Sequence, residues 1–451
     1  MATYRYTSYA LFAASLLMAS CSQEETIGAN SGNAGKIEFR ASLPLVATRA
    51  TETKGSTLRD FHVSGFTTGE TSETPYFLDK EFSKNGATGR YVSTDGTCIW
   101  PNNNDILRFL AISPSCSEMR TKGGFTDTDF SFTHSAGHTL SNFKIAHDIA
   151  SQTDFITAMA TGQLLENEET GVVLNFKHQL SRIGIKAWGD SKSFDLEIAG
   201  VRLGGVGISG DFMFASDPDA AQGGEWQSIG KGNVEYVFRA GDSIVTLDQN
   251  EGAPRSAESA VSIMGSNVGE GNGYANTAML IPASYQAWNL RGNKDNGEDH
   301  AEGMYLSVLL RVADTTPYGN YGETIYPYAD NAEGMEVVYL AVDKEDGKSV
   351  KQQVYSDGEN YFTDKAQTVA YDAEANGAQV KAFGWAALPV SDEWKAGYVY
   401  TYTLNYSNGV GLIDPLDPRP GEPIISDRVI LDVDVEEWKE GATTDVTVPR
   451  H

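Results

Sequence analysis

Short runs in which apolar and polar residues alternate recur along the whole chain, whereas long helical spacings are nearly absent. Alternation with period two puts successive side chains on opposite faces of an extended backbone, so the pattern predicts strands. The first is KIEFRASLPL, residues 36–45: Ile37, Phe39, Ala41, Leu43 and Leu45 share one face, and Lys36, Glu38, Arg40 and Ser42 the other. Pro44 cannot donate a ladder hydrogen bond, which puts the end of this strand at a sheet edge. The same spacing returns at Val172, Leu174, Phe176, His178 and Leu180, and at Phe194, Leu196 and Ile198, as half-buried strands of one sheet. Met304, Leu306, Val308, Leu310 and Val312 alternate further on. A row of Tyr398, Tyr400, Tyr402, Leu404 and Tyr406 is expected to cover a sheet face with its hydroxyls reaching water or backbone; stacking on sugar is the more specific use. The last strand, VILDVDVEEW at 429–438, has Val429, Leu431, Val433 and Val435 on one side and Ile430, Asp432, Asp434 and Glu436 on the other.

The 46 glycines and 21 tyrosines fit antiparallel strands joined by turns, an all-β chain. Its length exceeds what one core organises, and domains of roughly 100–200 residues make two the natural count. SDPDAAQGGEWQ, residues 216–227, has the turn chemistry of a border or a long hairpin, which divides the chain into domains at 36–220 and 221–451. DPLDPRPGEP, residues 414–423, reads as a stiff connection leading to the last strand.

The amino terminus changes the picture. Arg5, an apolar segment from Tyr9 to Met18, then Ala19, Ser20 and Cys21 read as a lipoprotein signal peptide over 1–20, cleaved before Cys21. The segment is shorter than the roughly 20 apolar residues of a membrane span. Acyl chains on Cys21 would hold the chain on a membrane, with residues 21–35 as a polar, glycine-rich tether. The alternative is an ordinary secretory signal in which Cys21 is incidental.

With 61 acidic against 34 basic side chains the formal charge is −27, which argues against nucleic acid as a partner. It favours mutual repulsion between free subunits. Cys98 and Cys116 are placed to pair in an oxidising compartment, a bridge worth roughly 3 kcal/mol, or to remain two buried thiols; the sequence leaves both open. GVGISG at 205–210 matches a dinucleotide pattern literally, but no helix pattern follows, so it reads as a glycine-rich turn. His134 and His138 in HSAGH, with His147 and Asp148 nearby, lack the glutamate of a zinc helix and read as solvated loop histidines. His178, on the apolar face of its strand, reads as a hydrogen-bonded core histidine. No nucleophile elbow, metal set or cofactor fingerprint is present in the sequence, and nothing in it makes a positive case for catalysis.

Several segments together resemble the fimbrillin family, pilus subunits that some anaerobic Gram-negative bacteria export as lipoproteins. They are the signal ending at Cys21, KIEFRASLPLVATRATET, the strand pair NFKHQLSRIGIKA with SFDLEIAGVRLGGV, and GWAALPVSDEWKAGYVYTYTLNY, with Trp394, Gly397, Tyr398 and Tyr400. The resemblance implies two transthyretin-like antiparallel β-sandwich domains in tandem and a surface-exposed lipoprotein of the outer membrane. It also implies an assembly route in which an Arg-specific protease removes the first strand and a strand of another pilus subunit replaces it. The matching cleavage position is Arg49, followed by Ala50.

The first strand's apolar row would contribute on the order of 10 kcal/mol in burial and ladder bonds, so cutting it away acts as a switch. The vacated groove invites β-augmentation. Val429, Leu431, Val433 and Val435 have the alternation of a donor, and equally of a permanent strand. Donor and groove at opposite ends of the chain make a heterologous contact that grows into a filament. The expected role is a structural or tip subunit of a pilus serving adhesion. The rivals are a non-polymerising anchor or accessory subunit, and a surface glycan-binding lipoprotein using exposed tryptophan and tyrosine.

Overall fold

The computed structural model describes residues 35–43, 58–68, 73–134, 137–147, 149–220, 223–237, 244–250, 252–265, 277–289, 303–317, 321–327, 336–343, 349–356, 361–362, 380–416, 420–425 and 429–437. Among them nearly every regular element is a strand, as the alternation predicts; the α-helices are short, at Cys116–Gly123 and Leu164–Asn167. The longer helix starts where Ser115 and Glu118 cap each other reciprocally, and it stops at Gly124, which takes a left-handed φ of 68°.

An eight-stranded sheet builds the N-terminal body. In spatial order its strands are Lys177–His178, Ile156–Gly162, Leu107–Ser113, Asp60–Thr68, Glu73–Lys84, Tyr91–Ser93, Glu38–Ser42 and Val172–Asn175. The two end strands are separated in sequence by Phe176 alone, so the run 172–178 pairs with both ends and closes the sheet on itself. Val172, Leu174, Phe176 and His178 point inward and are buried, whereas Val173 is 40% exposed, as period-two alternation requires.

The remaining strands form a twelve-stranded and a five-stranded sheet over a second, larger core, with a two-stranded ribbon of Ser284–Tyr285 and Asp392–Glu393 beside them. The 21-residue strand Phe194–Phe214 organises the first of these, pairing with Gly224–Val237 and Tyr305–Asp314. In the second, Ser181–Trp188 runs parallel to Tyr398–Asn405, which pairs antiparallel with Ile430–Glu437.

Several expectations are corrected by this topology. The border expected near residue 220 does not separate the bodies, because Ser181–Trp188 and Phe194–Phe214 pair with strands after residue 300. The chain crosses between cores at Phe176 and Leu180, which lie in the first and the second respectively. The apolar alternation runs straight through that crossing, so no polar linker marks it. Consequently the 172–180 and 194–198 runs belong to different sheets, not one. The strands on either side of the expected border pair antiparallel, with Phe214 opposite Gly224. GVGISG is not a turn but part of the 21-residue strand, broken by bulges between Leu203 and Asp211. Glycine is needed there because Gly205 has φ +69° and a Cβ on it would strike the Gly303 carbonyl oxygen.

The bridge between Cys98 and Cys116 does not form: both thiols are free. Cys98 is sealed in the N-terminal core, while Cys116 packs against the other. Burial pushes both thiols up, that of Cys116 to about 11.

Candidate functional site: the first-strand groove and the last strand

Glu38–Ser42 is not an edge strand. It lies between two neighbours, antiparallel to Tyr91–Ser93 and parallel to Val172–Asn175, with Phe39 opposite both Tyr91 and Val172. The Ile37 N–H donates to the Cys98 carbonyl at 3.0 Å, and the Phe176 N–H donates to that of Ser42 at 2.8 Å. Pro44 and Leu45 lie outside the described residues. Ile37, Phe39 and Leu43 are buried, and Ala41 is half-buried. Three large side chains fully buried at roughly 1.5–3 kcal/mol each make this strand a substantial part of the N-terminal core. Phe39 fills an aromatic trough, meeting Phe82, Phe109 and Phe61 edge to face at centroid distances of 4.8, 5.0 and 6.1 Å.

Polar contacts line the outward row. The Arg90 guanidinium lies 2.7 Å from the Glu38 carboxylate and also donates to the Glu169 carbonyl oxygen. At the other end the Ser42 hydroxyl donates to Asn175 Oδ1 at 2.5 Å. Gly171, at φ +71°, lets the chain pass close to the Glu38 carbonyl oxygen.

The last strand is the opposite case. Ile430–Glu437 sits at the edge of its sheet, and Ile430, Val433 and Val435 are 49%, 37% and 46% exposed. Val429 and Leu431 are half-buried and lean on the second core. Of its alternating apolar row, Val433 and Val435 are therefore uncovered, and its outer backbone edge is unpaired among the described strands. Cys21, Arg49 and Ala50 lie outside the described residues.

The other candidates resolve differently. His178 is a core histidine, bonded through Nδ1 to the buried Asp154 at 2.9 Å. His138 is not a solvated loop residue: it is 8% exposed, and its Nε2 lies 2.5 Å from the Glu73 carboxylate. Burial covers it because the hairpin carrying it packs against Phe66 of the N-terminal sheet. Glu73 also takes Arg108 at 2.9 Å, and Arg108 donates to the Ala215 carbonyl oxygen, tying the two bodies beside a cleft of about 710 Å³. The sequence hid this tie because Arg108 sits inside the otherwise apolar strand LRFLAIS. Among the described residues no cluster able to hold a metal occurs.

Tyr400, Tyr402 and Tyr406 are buried. The Tyr400 hydroxyl donates to the Glu393 carbonyl at 3.0 Å and that of Tyr402 to Asp392 at 2.6 Å; burial pushes Tyr400 up to about 12. They are structural, not a platform for sugar. Among the residues whose burial is described no tryptophan is exposed, and Tyr321 is exposed. No helix among the described residues is long and apolar enough to cross a membrane.

The fimbrillin-like family model matches residues 48–299, more than half of the chain. The chain belongs to the fimbrillin-like family. Among curated proteins none matches it. Solved structures similar to this fimbrillin-like chain include a fimbrilin from Porphyromonas gingivalis W83, at 11% identity over 91% of this chain and 99% of that one, with a TM-score of 0.34. A candidate cell adhesion protein from Parabacteroides distasonis shares 10% identity over 91% and 99% of the two chains, with a TM-score of 0.40. One from Bacteroides ovatus shares 11% over 90% and 99%, with a TM-score of 0.36. Family membership supports a fimbrial, adhesion-type subunit at the cell surface.

Proposed function

We propose that this fimbrillin-like chain is a structural or tip subunit of a pilus serving adhesion. It is exported as an outer-membrane lipoprotein anchored through Cys21, and cleavage after Arg49 frees the first strand to leave. The last strand of another copy then enters the groove. One contrast supports this reading: Ile37, Phe39 and Leu43 of the first strand are buried in the trough, while Val433 and Val435 of the last strand are uncovered at a sheet edge. An exposed edge with an apolar row is a template for pairing with another chain. The groove cannot accept it until the resident strand goes, so assembly waits for the cut.

The experiment is Arg49→Ala. The expected product is a folded, lipidated subunit that keeps its first strand and does not polymerise. Ladders of normal length on a gel, or fibres whose subunits still begin at acylated Cys21, would refute the switch. Binding of soluble polysaccharide by the monomer would favour the glycan-binding rival, against which the buried tyrosines already weigh.

A further inference from the structure

Arg90 and Glu169 belong to opposite walls of the first-strand groove. Arg90 immediately precedes the Tyr91–Ser93 wall, and Glu169 shortly precedes the Val172–Asn175 wall. The guanidinium reaches across the strand between them, donating to the Glu169 carbonyl on the far side and to the Glu38 carboxylate on the way. Arg90 and the Glu169 carbonyl both belong to the groove, so the strand that leaves takes only Glu38 from this clasp.

We infer that Arg90 selects the segment that fills the groove, by pairing with a carboxylate on the outward row of the inserted strand; in a second copy of this chain Asp432, Asp434 and Glu436 supply that carboxylate. The inference rests on the strand-exchange reading above. Side chains on a strand alternate with period two, so any register that seats Val433 and Val435 in the trough turns these acidic residues outward, whichever way the strand runs. The Arg90–Glu38 pair is partly exposed, at 30% and 23%, so its role is discrimination more than stability. A wrong charge at the clasp costs far more than the right one contributes. In a chain of net charge −27, a cation spanning the groove also offsets repulsion between approaching subunits.

The test is a charge swap in full-length subunits, read as ladder length. Asp432→Lys, Asp434→Lys and Glu436→Lys together alter exposed positions, and an unchanged melting temperature of the variant checks that it folds. This triple variant should add to wild-type grooves about tenfold less or worse. It should be restored by Arg90→Glu in the receiving subunit, which in turn should refuse wild-type strands. Unchanged addition of the triple variant overturns the inference, as does failure of Arg90→Glu to restore it. Truncation before Val429 separates the two claims: if ladders survive it, the strand-exchange reading fails; if they vanish while the swap has no effect, Arg90 selects nothing.

Discussion

Phe39 and Phe82 meet edge to face with centroids 4.8 Å apart, joining a strand near the amino terminus to the Glu73–Lys84 strand of the N-terminal core. Phe39 is fully buried, on a strand paired on both sides within the closed sheet. Phe39→Ala is therefore expected to destabilise the uncut chain by about 3–5 kcal/mol, measured by urea unfolding. A loss below about 1 kcal/mol would mean the trough collapses without its plug.

A second prediction concerns the other core. Arg202 Nη2 lies 2.5 Å from Asp414 Oδ2 with both side chains buried, and the Ser307 hydroxyl donates to the same carboxylate. The Arg202 guanidinium stacks over Trp385 at 4.3 Å. Removing Asp414 leaves the buried guanidinium only the partly exposed Glu235, 3.1 Å from its Nη1, so Asp414→Ala should cost about 3 kcal/mol. Replacing both, as Arg202→Met with Asp414→Leu, should cost clearly less than the sum of the single changes in a thermal-melt cycle. Additive losses would show that the two charges do not depend on each other.

The strands were legible because period-two alternation survives into burial, residue by residue, at 37–43 and 172–178. Sheet membership was not, since alternation says which face is buried and not against which core; Phe176 and Leu180 read alike yet fall in different bodies. The edge assignment failed for a related reason: Pro44 speaks for one residue, while the neighbours of Phe39 on the two sides, Tyr91 and Val172, come from 52 and 133 positions away. The exposure of Val433 and Val435 ran against their pattern, which by itself predicts a covered face. Arg90 as a clasp gave no sequence signal, because its partners Glu38 and Glu169 are remote along the chain.

Acid should weaken the tie between the two bodies. Burial, with the neighbouring charge of His138, pushes the His134 imidazole down to about 4, while Asp79 opposes this. Unfolded histidine takes its proton near 6.5, so between about pH 6.5 and 4 the unfolded chain holds a proton that the folded chain refuses. Stability is expected to fall as pH drops through that window and to be independent of this group above it. His62 acts oppositely, because its bond to Asp79 raises it, and the stability it contributes is full below about pH 6.5 and is lost as pH rises from there through its folded value. Urea midpoints across pH 4–7.5 should slope less in His134→Gln than in the parent; equal slopes would remove His134 from the account.

The last strand should be dispensable for folding and indispensable for growth. Its exposed residues leave it held mainly by the ladder with Tyr398–Asn405, where each bond is worth about 1 kcal/mol and each ordered residue costs about 1–2 kcal/mol. Those contributions nearly cancel, and only Val429 and Leu431 lean on the core. A chain ending before Val429 is expected to melt within a few degrees of the parent, while its capacity to add to another subunit is abolished. A permanent sandwich strand would give the reverse result: a large drop in melting temperature, with ladders lost only in proportion to the folded protein.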